Sequence, residues 1–310
     1  MTASARIVAR TPLRYAAGAD EKLDRPGHVR AGSALVAWKG HLAVVQDDAC
    51  FLAVIDRKSK RVHDIPFPVD GPRQFDDSRG NKKSKLDLEA AFITDHDKLL
   101  VALGSGSSPL RERFVLVEEP ASPTPRVMMF DAPEFYALLR SHREFSGSEL
   151  NIEGAVVCGL DLVLFQRGNG APASGAVNAT ARIALASLLA YVREGSPLPP
   201  LHDVIPWALP RGLTFTDGAL APDGTLAFLA CAEDSPDVTR DGPVTEVAFG
   251  RLDEAARTFT LTGIVDEHGA PLLEKAEGLA WDPGNKKRLF VVTDRDDATL
   301  PSDLLELRLS

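Results

Sequence analysis

The sequence has few cysteines and no long apolar run. Its three cysteines, Cys50, Cys158 and Cys231, form no CxxC pair and no even set, which favours buried, reduced thiols over a disulfide framework. The longest apolar run, near residues 183–192, is too short to span a bilayer, and the N-terminus lacks the continuous apolar region of a secretory signal. We therefore expect a cytoplasmic protein.

Positively charged residues are outnumbered by negatively charged ones. The chain carries 35 Lys and Arg against 44 Asp and Glu, a net charge of −9. Nucleic acids and anionic membranes are bound through basic surfaces, so neither is expected as a partner, whereas a small-molecule ligand is compatible with this charge. The hydrophobic content of 44% and the charged content of 25% are ordinary for a soluble globular protein.

Common catalytic motifs are missing too. The sequence contains no GxSxG, HExxH or GxGxxG segment and no complete EF-hand loop. Its seven histidines fall outside the repeated positions described next, which argues against a histidine general base.

What the sequence does contain is a repeated segment, clearest at residues 151–157 (Asn-Ile-Glu-Gly-Ala-Val-Val). Related copies lie at residues 88–92, 216–220 and 276–281, with a degenerate one at 32–36. The aligned positions are 56, 64, 64 and 60 residues apart: Ser33, Glu89, Glu153, Asp217 and Glu277. A turn and a second apolar run follow each copy, and strand-built repeats of this length predict a β-propeller.

We predict one all-β domain over residues 1–310, a propeller of five blades with about four strands each. Six blades remain an alternative if a long segment hides a divergent blade. The last repeat holds only three strands, so the alternating residues 5–15 are expected to supply its fourth strand and close the ring. Short helices are predicted at 133–143 and 185–193, and the polar loop at 68–87 contains a basic stretch, 73–85, that is a candidate lid.

In this topology, the acids at the start of each repeat converge at one mouth of the central channel. Carboxylates that are so close cannot all stay ionised without compensation. A divalent cation would provide it, and oxygen-only ligands favour Ca²⁺ or Mg²⁺ over zinc. The predicted metal ligands are Glu89, Glu153, Asp217 and Glu277. Alternatively, the acids accept hydrogen bonds from neighbouring backbones and set the blade spacing.

Polar residues at the ends of the second strands are expected around the same mouth. Asp47 or Asp48 is a candidate general base, and Arg167 or Arg113 a candidate anion-stabilising residue. The Gly-Ser loop at 104–108, with Arg111 and Arg113 after it, is either an oxyanion cradle or a flexible connection. Candidate ligand-binding residues are Ser105, Ser107, Asn169, Glu233, Asp234, Asp294 and Arg295.

Four segments carry a family resemblance: Leu86-Asp-Leu-Glu89-Ala-Ala, Leu150-Asn-Ile-Glu153-Gly, Gln166-Arg-Gly-Asn169 and Ala276-Glu277-Gly278-Leu-Ala-Trp-Asp282. With these segments the chain resembles the bacterial esterase-like-phytase and SdiA-regulated propellers, and an uncharacterised bacterial family close to them. The resemblance implies a propeller, often with a central cation, and hydrolysis of an ester or phosphoester.

More distantly, the layout is similar to gluconolactonase-like propellers, in which a Glu, an Asn and an Asp bind a divalent metal. By this likeness Glu89, Glu153 and Glu277 match the glutamate position, and Asn169 and Asp234 match the others. Six blades are usual in these relatives, whereas the repeat here predicts five.

Three functions follow as hypotheses. The first is a metal-dependent hydrolase of a small phosphoester or lactone, with calcium as the expected cation. The second is a non-enzymatic propeller that binds a ligand or peptide at its polar mouth. The third is a scaffold whose acidic ring is structural.

Overall fold

A computed structural model describes residues 5–38, 40–94, 98–168, 175–234 and 242–309. Within these ranges the chain is all-β, with three short α-helices. The strands of its first half are β1 (Ala5–Pro12), β2 (Gly32–Trp38), β3 (His41–Gln46), β4 (Phe51–Asp56), β5 (Val62–Pro66), β6 (Leu88–Thr94), β7 (Leu99–Gly104), β8 (Arg113–Glu118) and β9 (Arg126–Asp131).

Helices α1 (Pro133–Ser141) and α2 (Arg143–Ser146) follow β9. The remaining elements are β10 (Ile152–Cys158), β11 (Asp161–Gln166), β12 (Asn178–Ala184), α3 (Leu185–Glu194), β13 (Leu201–Trp207), β14 (Thr214–Leu220), β15 (Leu226–Glu233), β16 (Val244–Asp253), β17 (Thr258–Val265), β18 (Lys275–Trp281), β19 (Arg288–Asp294) and β20 (Asp303–Leu309).

The strands form four-stranded units in which consecutive strands pair antiparallel. Three units are separate sheets, β2–β5, β6–β9 and β10–β13. The eight-stranded fourth sheet, ordered β14-β15-β16-β17-β1-β20-β19-β18, contains two such units. Only a short parallel pairing, Ala5 and Arg6 with Ile264 and Val265, joins β1 to β17. We number the units 1 to 5 along the chain, with β1 in unit 5.

The N-terminal strand completes the last unit. β1 pairs antiparallel with β20 from Ala5 opposite Leu309 to Pro12 opposite Asp303. This confirms the predicted closure of the ring by residues near the N-terminus. The two ends of the described chain are thus held in one sheet.

The first strands of the units surround a common axis. In the described part of the chain, β2 contacts β6, β6 contacts β10, β10 contacts β14, β14 contacts β18, and β18 contacts β2. Buried apolar side chains form layers between neighbouring units: one layer joins units 1 and 2, for example, and another joins units 3 and 4. Sheets that bury both faces against neighbours in a ring make a β-propeller.

The predicted helices lie close to their expected places. Pro133 starts α1, where its fixed φ suits the first helical turn and its missing N–H costs nothing. Phe135, Tyr136 and Leu139 of α1 are buried in the apolar layer between units 2 and 3. The predicted 133–143 helix is interrupted at His142, after which α2 forms a separate turn.

The polar segment at 68–87 is tied to its surroundings. Gln74 forms a bridge with Ala49, and its side-chain amide donates to the carbonyl of Asp24 at 2.9 Å. A 3₁₀ turn spans Lys82–Ser84. No helix among the described residues has the length and apolarity that a membrane crossing requires.

Candidate functional site

Each first strand in the described part of the chain carries a β-bulge near its start. At the bulge, one residue has no partner on the second strand, so its side chain is re-aimed relative to the regular pleat. The five bulge residues are Ser33, Glu89, Glu153, Thr216 and Glu277. Because the first strands line the ring, these positions lie around one end of the channel.

In unit 4 the bulge falls on Thr216, whereas the sequence alignment places Asp217 at this position. Asp217 is paired with Leu229, and its carboxylate accepts hydrogen bonds at 2.7 Å from the amides of Gly218 and Leu279. Burial raises the pKa of Asp217 well above its ordinary value, although these amides counteract it. Its predicted equivalence with the three glutamates is therefore wrong by one residue, and its oxygens serve the backbone.

The two hydroxyl side chains at bulges connect neighbouring units. Ser33 Oγ donates to the carbonyl of Leu88 at 2.5 Å, and Thr216 Oγ1 donates to that of Ala276 at 2.6 Å. Each acceptor directly precedes the bulge of the next first strand. The bulge positions thus divide into two hydroxyls that tie units together and three carboxylates.

The carboxylates of Glu153 and Glu277 are buried, each residue 3% exposed, and incompletely hydrogen-bonded. Oε1 of Glu153 accepts from Asn151 at 2.5 Å and from Arg167 at 3.3 Å, whereas Oε2 has no partner among the described residues. Neither oxygen of Glu277 accepts a hydrogen bond there, and the Lys275 ammonium lies 3.6 Å from Oε1. Buried carboxylate oxygens without partners are costly, so these atoms call for a further group.

The three glutamates share one electrostatic environment. Burial raises the pKa of Glu153 to about 7, although Arg167 and Lys275 oppose the shift. Burial also raises the pKa of Glu277 well above its ordinary value, and the negative charge of Glu153 adds to it. For Glu89 the pKa is likewise raised by burial, then by Asp47 and Glu153.

A second acidic group lies beside Glu89. Carboxylate oxygens of Asp47, Asp87 and Glu89 lie within 4.8 Å of one another. The Lys85 ammonium lies 2.5 Å from Asp47 Oδ2 and 2.8 Å from Asp87 Oδ1, while the buried Oδ1 of Asp47 has no partner among the described residues. Lys85 therefore neutralises part of this group.

Sequence reasoning missed Lys85 and Asp87. The sequence places residues 85, 87 and 89 in alternation with leucines, in Lys-Leu-Asp-Leu-Glu, but alternation alone does not bring their side chains together, because Asp87 has a φ of +54° and the backbone before β6 is not regularly extended. The repeat marks Glu89 alone, because Lys85 and Asp87 precede β6 and belong to the loop at 68–87.

The loop at 104–108 forms a cradle for a carboxylate of the chain itself, Asp87, through serine hydroxyls and Arg111. Asp87 Oδ2 accepts hydrogen bonds from Ser105 Oγ and, at 3.4 Å, from Ser107 Oγ, and Arg111 lies 2.9 Å away. Burial alone would raise the pKa of Asp87, but Lys85 and Arg111 outweigh it and lower the pKa to about 2. Ser105 and Ser107 thus serve an internal carboxylate.

Arg167 and Glu233 join the mouth. Arg167 bridges Glu153 at 3.3 Å and Glu233 at 3.1 Å, which links the ends of β11 and β15 to the bulge of unit 3. Asp294, at the end of β19, accepts from the Asp296 amide at 2.9 Å. Burial raises the pKa of Asp294 to about 6, opposed by Lys275.

Other predicted site residues have partners elsewhere. Asp48 pairs with the buried Arg30 at 2.5 Å. The described partners of Arg113 are the Leu110 carbonyl and Asp131, and those of Arg295 are Glu274 and Asp303, so neither arginine is brought to the mouth acids. Asp234 is exposed beyond Glu233, and Asn169 lies outside the described residues.

Three solved structures resemble the chain in fold. Glutaminyl cyclase from Myxococcus xanthus has a TM-score of 0.50 at 12% identity, covering 99% of this chain and 97% of its own. The PQQ-bound aldose sugar dehydrogenase from Streptomyces coelicolor has a TM-score of 0.52 at 11% identity, covering 100% of this chain and 99% of its own. The allergen Mala s 1 from Malassezia sympodialis has a TM-score of 0.50 at 10% identity, covering 89% of this chain and 92% of its own. These TM-scores support the propeller fold, and sequence identities this low carry no activity over to this chain.

Comparison with curated proteins finds no match. A family model described as a family of unknown function matches residues 28–309, which is most of the chain. The match supports the inferred relation to an uncharacterised family, and it does not confirm the esterase-like-phytase or SdiA-regulated group.

Proposed function

Because the chain belongs to that family of unknown function (DUF6929), we propose its function from the channel mouth: Glu89, Glu153 and Glu277 bind a divalent cation, with calcium the first candidate. The observation that carries this proposal is the set of buried carboxylate oxygens that have no hydrogen-bond partner among the described residues, Oε2 of Glu153 and both oxygens of Glu277.

The donor set fits a hard cation. The available ligands are carboxylate oxygens alone, which calcium and magnesium prefer. Calcium tolerates irregular arrangements of six to eight oxygens, whereas magnesium requires near-octahedral geometry, so glutamates that come from three separate strands favour calcium. Ser33 and Thr216 do not compete for this role, because their hydroxyls are committed to backbone carbonyls.

For the activity we propose hydrolysis of a small phosphoester or lactone, which the resemblance to esterase-like-phytase and gluconolactonase-like propellers favours. A bound cation would polarise the scissile group and lower the pKa of a coordinated water. Asp47 is the candidate general base, because its Oδ1 is buried at the mouth and has no hydrogen-bond partner in the described part of the chain. Arg167, oriented by Glu153 and Glu233, is the candidate donor to a substrate anion.

A non-enzymatic binding propeller is the second candidate, and one observation favours it. Lys85 spans Asp47 and Asp87, and Asp87 itself fills the Ser105–Ser107 cradle. Groups held in such internal ion pairs and hydrogen bonds are less available to act on a substrate, which favours binding without catalysis. This candidate predicts stabilisation by a ligand without formation of a product.

We also infer five blades. The contacts between β2, β6, β10, β14 and β18 return to their starting strand, and five apolar layers separate the five units. A sixth blade has no place between units that already pack against each other.

The experiment is thermal unfolding of EDTA-stripped protein titrated with Ca²⁺, Mg²⁺ and Mn²⁺. A cation that binds only the folded state stabilises it by about 2.7 kcal/mol at a concentration of one hundred times Kd. We expect a saturable rise in Tm with calcium that the double variant Glu153→Gln/Glu277→Gln loses. Glu254→Gln removes an acid that pairs with Arg182 away from the mouth, and it serves as the matched control.

The enzymatic part is tested separately, by screening phosphoesters and lactones with the metal-loaded protein. Turnover that the double glutamine variant loses supports the hydrolase. A calcium-dependent rise in Tm without any turnover would favour the binding propeller, and no rise with any of the three cations would refute the site.

A further inference from the structure

A second polar site lies at the end of the propeller away from the bulges. A pocket of about 290 Å³ is lined by Gly40, Arg57, Lys58, Lys60, Arg288, Phe290 and Glu306. Gly40 lies in the β2–β3 turn, residues 57–60 lie in the β4–β5 turn, and Arg288 starts β19. Since neighbouring strands run antiparallel and the bulges lie near the starts of first strands, these turns are at the opposite end.

The pocket is basic in an otherwise acidic protein. Four of its seven lining residues are Arg or Lys, and one is acidic. That acid, Glu306, is neutralised within the pocket, with Lys60 at 2.7 Å and Arg288 at 3.7 Å. Lys58 has no acidic partner among the described residues. An anion entering the pocket therefore meets a net positive charge.

Both arginines are held in place before any ligand arrives. The buried carboxylate of Asp282 accepts hydrogen bonds from the Gly284 amide at 2.8 Å and from Arg288, and it pairs with Arg57 at 2.8 Å. The guanidinium carbons of Arg57 and Arg288 lie 4.9 and 5.7 Å from the Phe290 ring centroid. Fixed guanidinium groups lose little conformational entropy when they bind an anion.

We propose that this pocket binds a small ligand through a phosphate-type dianion, such as a phosphate monoester. Arg57 and Arg288 present planar donor groups suited to phosphate oxygens, and Lys58 and Lys60 add positive charge at the rim. The volume lies at the lower end of the range for small-molecule sites, so the organic part of the ligand is small.

The ion pairs also join units 1 and 5, since Arg57 reaches Asp282 and Lys60 reaches Glu306. A purely structural clamp would need these pairs alone. It would not need Lys58, which lies on the same turn and has no acidic partner within the described ranges. A substitution of Lys58 therefore tests anion binding without breaking the ion pairs that join units 1 and 5.

The test is titration of inorganic phosphate into the protein at low ionic strength, followed by calorimetry and by Tm, with chloride at matched ionic strength for comparison. We expect saturable phosphate binding that Lys58→Ala weakens by about tenfold, the value of one charge-assisted hydrogen bond. Lys98→Ala removes an exposed lysine from the β6–β7 turn at the same end of the molecule and should leave phosphate binding unchanged.

Glu153→Gln/Glu277→Gln should also bind phosphate normally, which separates this site from the channel mouth. Equal phosphate affinity in the wild type and in Lys58→Ala, or an effect that chloride reproduces, would overturn the proposal. So would the absence of saturable binding in the wild-type protein.

Discussion

At the residue scale, two adjacent side chains of β14 have different roles. Thr216 ties unit 4 to unit 5 through the Ala276 carbonyl, and Asp217 receives the amides of Gly218 and Leu279. In unit 5, by contrast, the bulge places a glutamate whose oxygens have no hydrogen-bond partner among the described residues. Hydrogen-bond satisfaction therefore distinguishes structural acids from candidate ligands in this channel.

Asp217→Asn should destabilise the protein whether or not a cation is present. Asparagine offers one oxygen where the aspartate accepts from two backbone amides, so one amide loses its acceptor, at a cost of about 1–3 kcal/mol. Urea unfolding measures this loss. The calcium-induced rise in Tm should persist in the variant, and its disappearance would return Asp217 to the ligand set.

Because of Asp282, part of the free energy of unfolding depends on pH. Burial would raise its pKa, but the Gly284 amide, Arg288 and Arg57 outweigh burial and lower the pKa below 3.8. A lowered carboxylate pKa stabilises the folded state fully above 3.8, and this contribution is lost as pH falls through the folded-state pKa. Asp282→Asn should therefore cost more free energy of unfolding at neutral pH than in acid well below pH 3.8, measured by denaturant titration. An equal cost at both pH values would contradict this assignment.

At the scale of elements, the loop after β7 connects a helix to the mouth. Tyr136 of α1 donates to the Gly104 carbonyl at 2.9 Å, and its ring packs against Gly106 in the loop that binds Asp87. Gly106 has a φ of +75°, and a Cβ there would lie 2.4 Å from the Tyr136 ring. Both the positive φ and the lack of space for a Cβ require glycine at this position.

Gly106→Ala should destabilise the protein more than Gly18→Ala. Both glycines have a left-handed φ, +75° and +72°, but a Cβ at Gly18 would meet no atom within 4 Å. Gly18→Ala thus reports the backbone strain alone, about 1–2 kcal/mol, and Gly106→Ala adds the clash with Tyr136. Thermal unfolding of both variants measures the difference. Equal losses would show that α1 yields without cost.

The whole molecule depends on the pairing of its two ends. β1 contributes buried Ala5 and Ile7 to the apolar layer between units 4 and 5, and it covers the edge of β20. Without β1, β20 would present unpaired backbone groups at a sheet edge, which favours aggregation. Ring closure therefore stabilises the fold and protects its last strand.

Ile7→Ala tests this closure against Val8→Ala on the same strand. Ile7 is 1% exposed and Val8 50% exposed. We expect a loss of about 2–5 kcal/mol for Ile7→Ala, from lost burial and the cavity left behind, and about 0.5 kcal/mol or less for Val8→Ala. Guanidinium unfolding of both variants provides the comparison. Similar small losses would mean that β1 is peripheral to stability.

The sequence alone determined the repeat, its all-β character, the propeller and the closure by an N-terminal strand. These features depend on alternation, turn residues and a count of strands per repeat, all of which are local properties. It also placed Glu89, Glu153 and Glu277 at equivalent positions, because each follows the same apolar pattern into a first strand.

Only the tertiary structure decided which polar atoms meet. Whether Thr216 or Asp217 occupies the bulge of unit 4 depends on how the strand packs in the ring. The sequence alignment is off by one residue there and does not reveal it. The pairing of Lys85 with Asp47 and Asp87, and the insertion of Asp87 between Ser105 and Arg111, join side chains from separate segments. Such contacts depend on the distance between strands in space, which spacing along the chain does not specify.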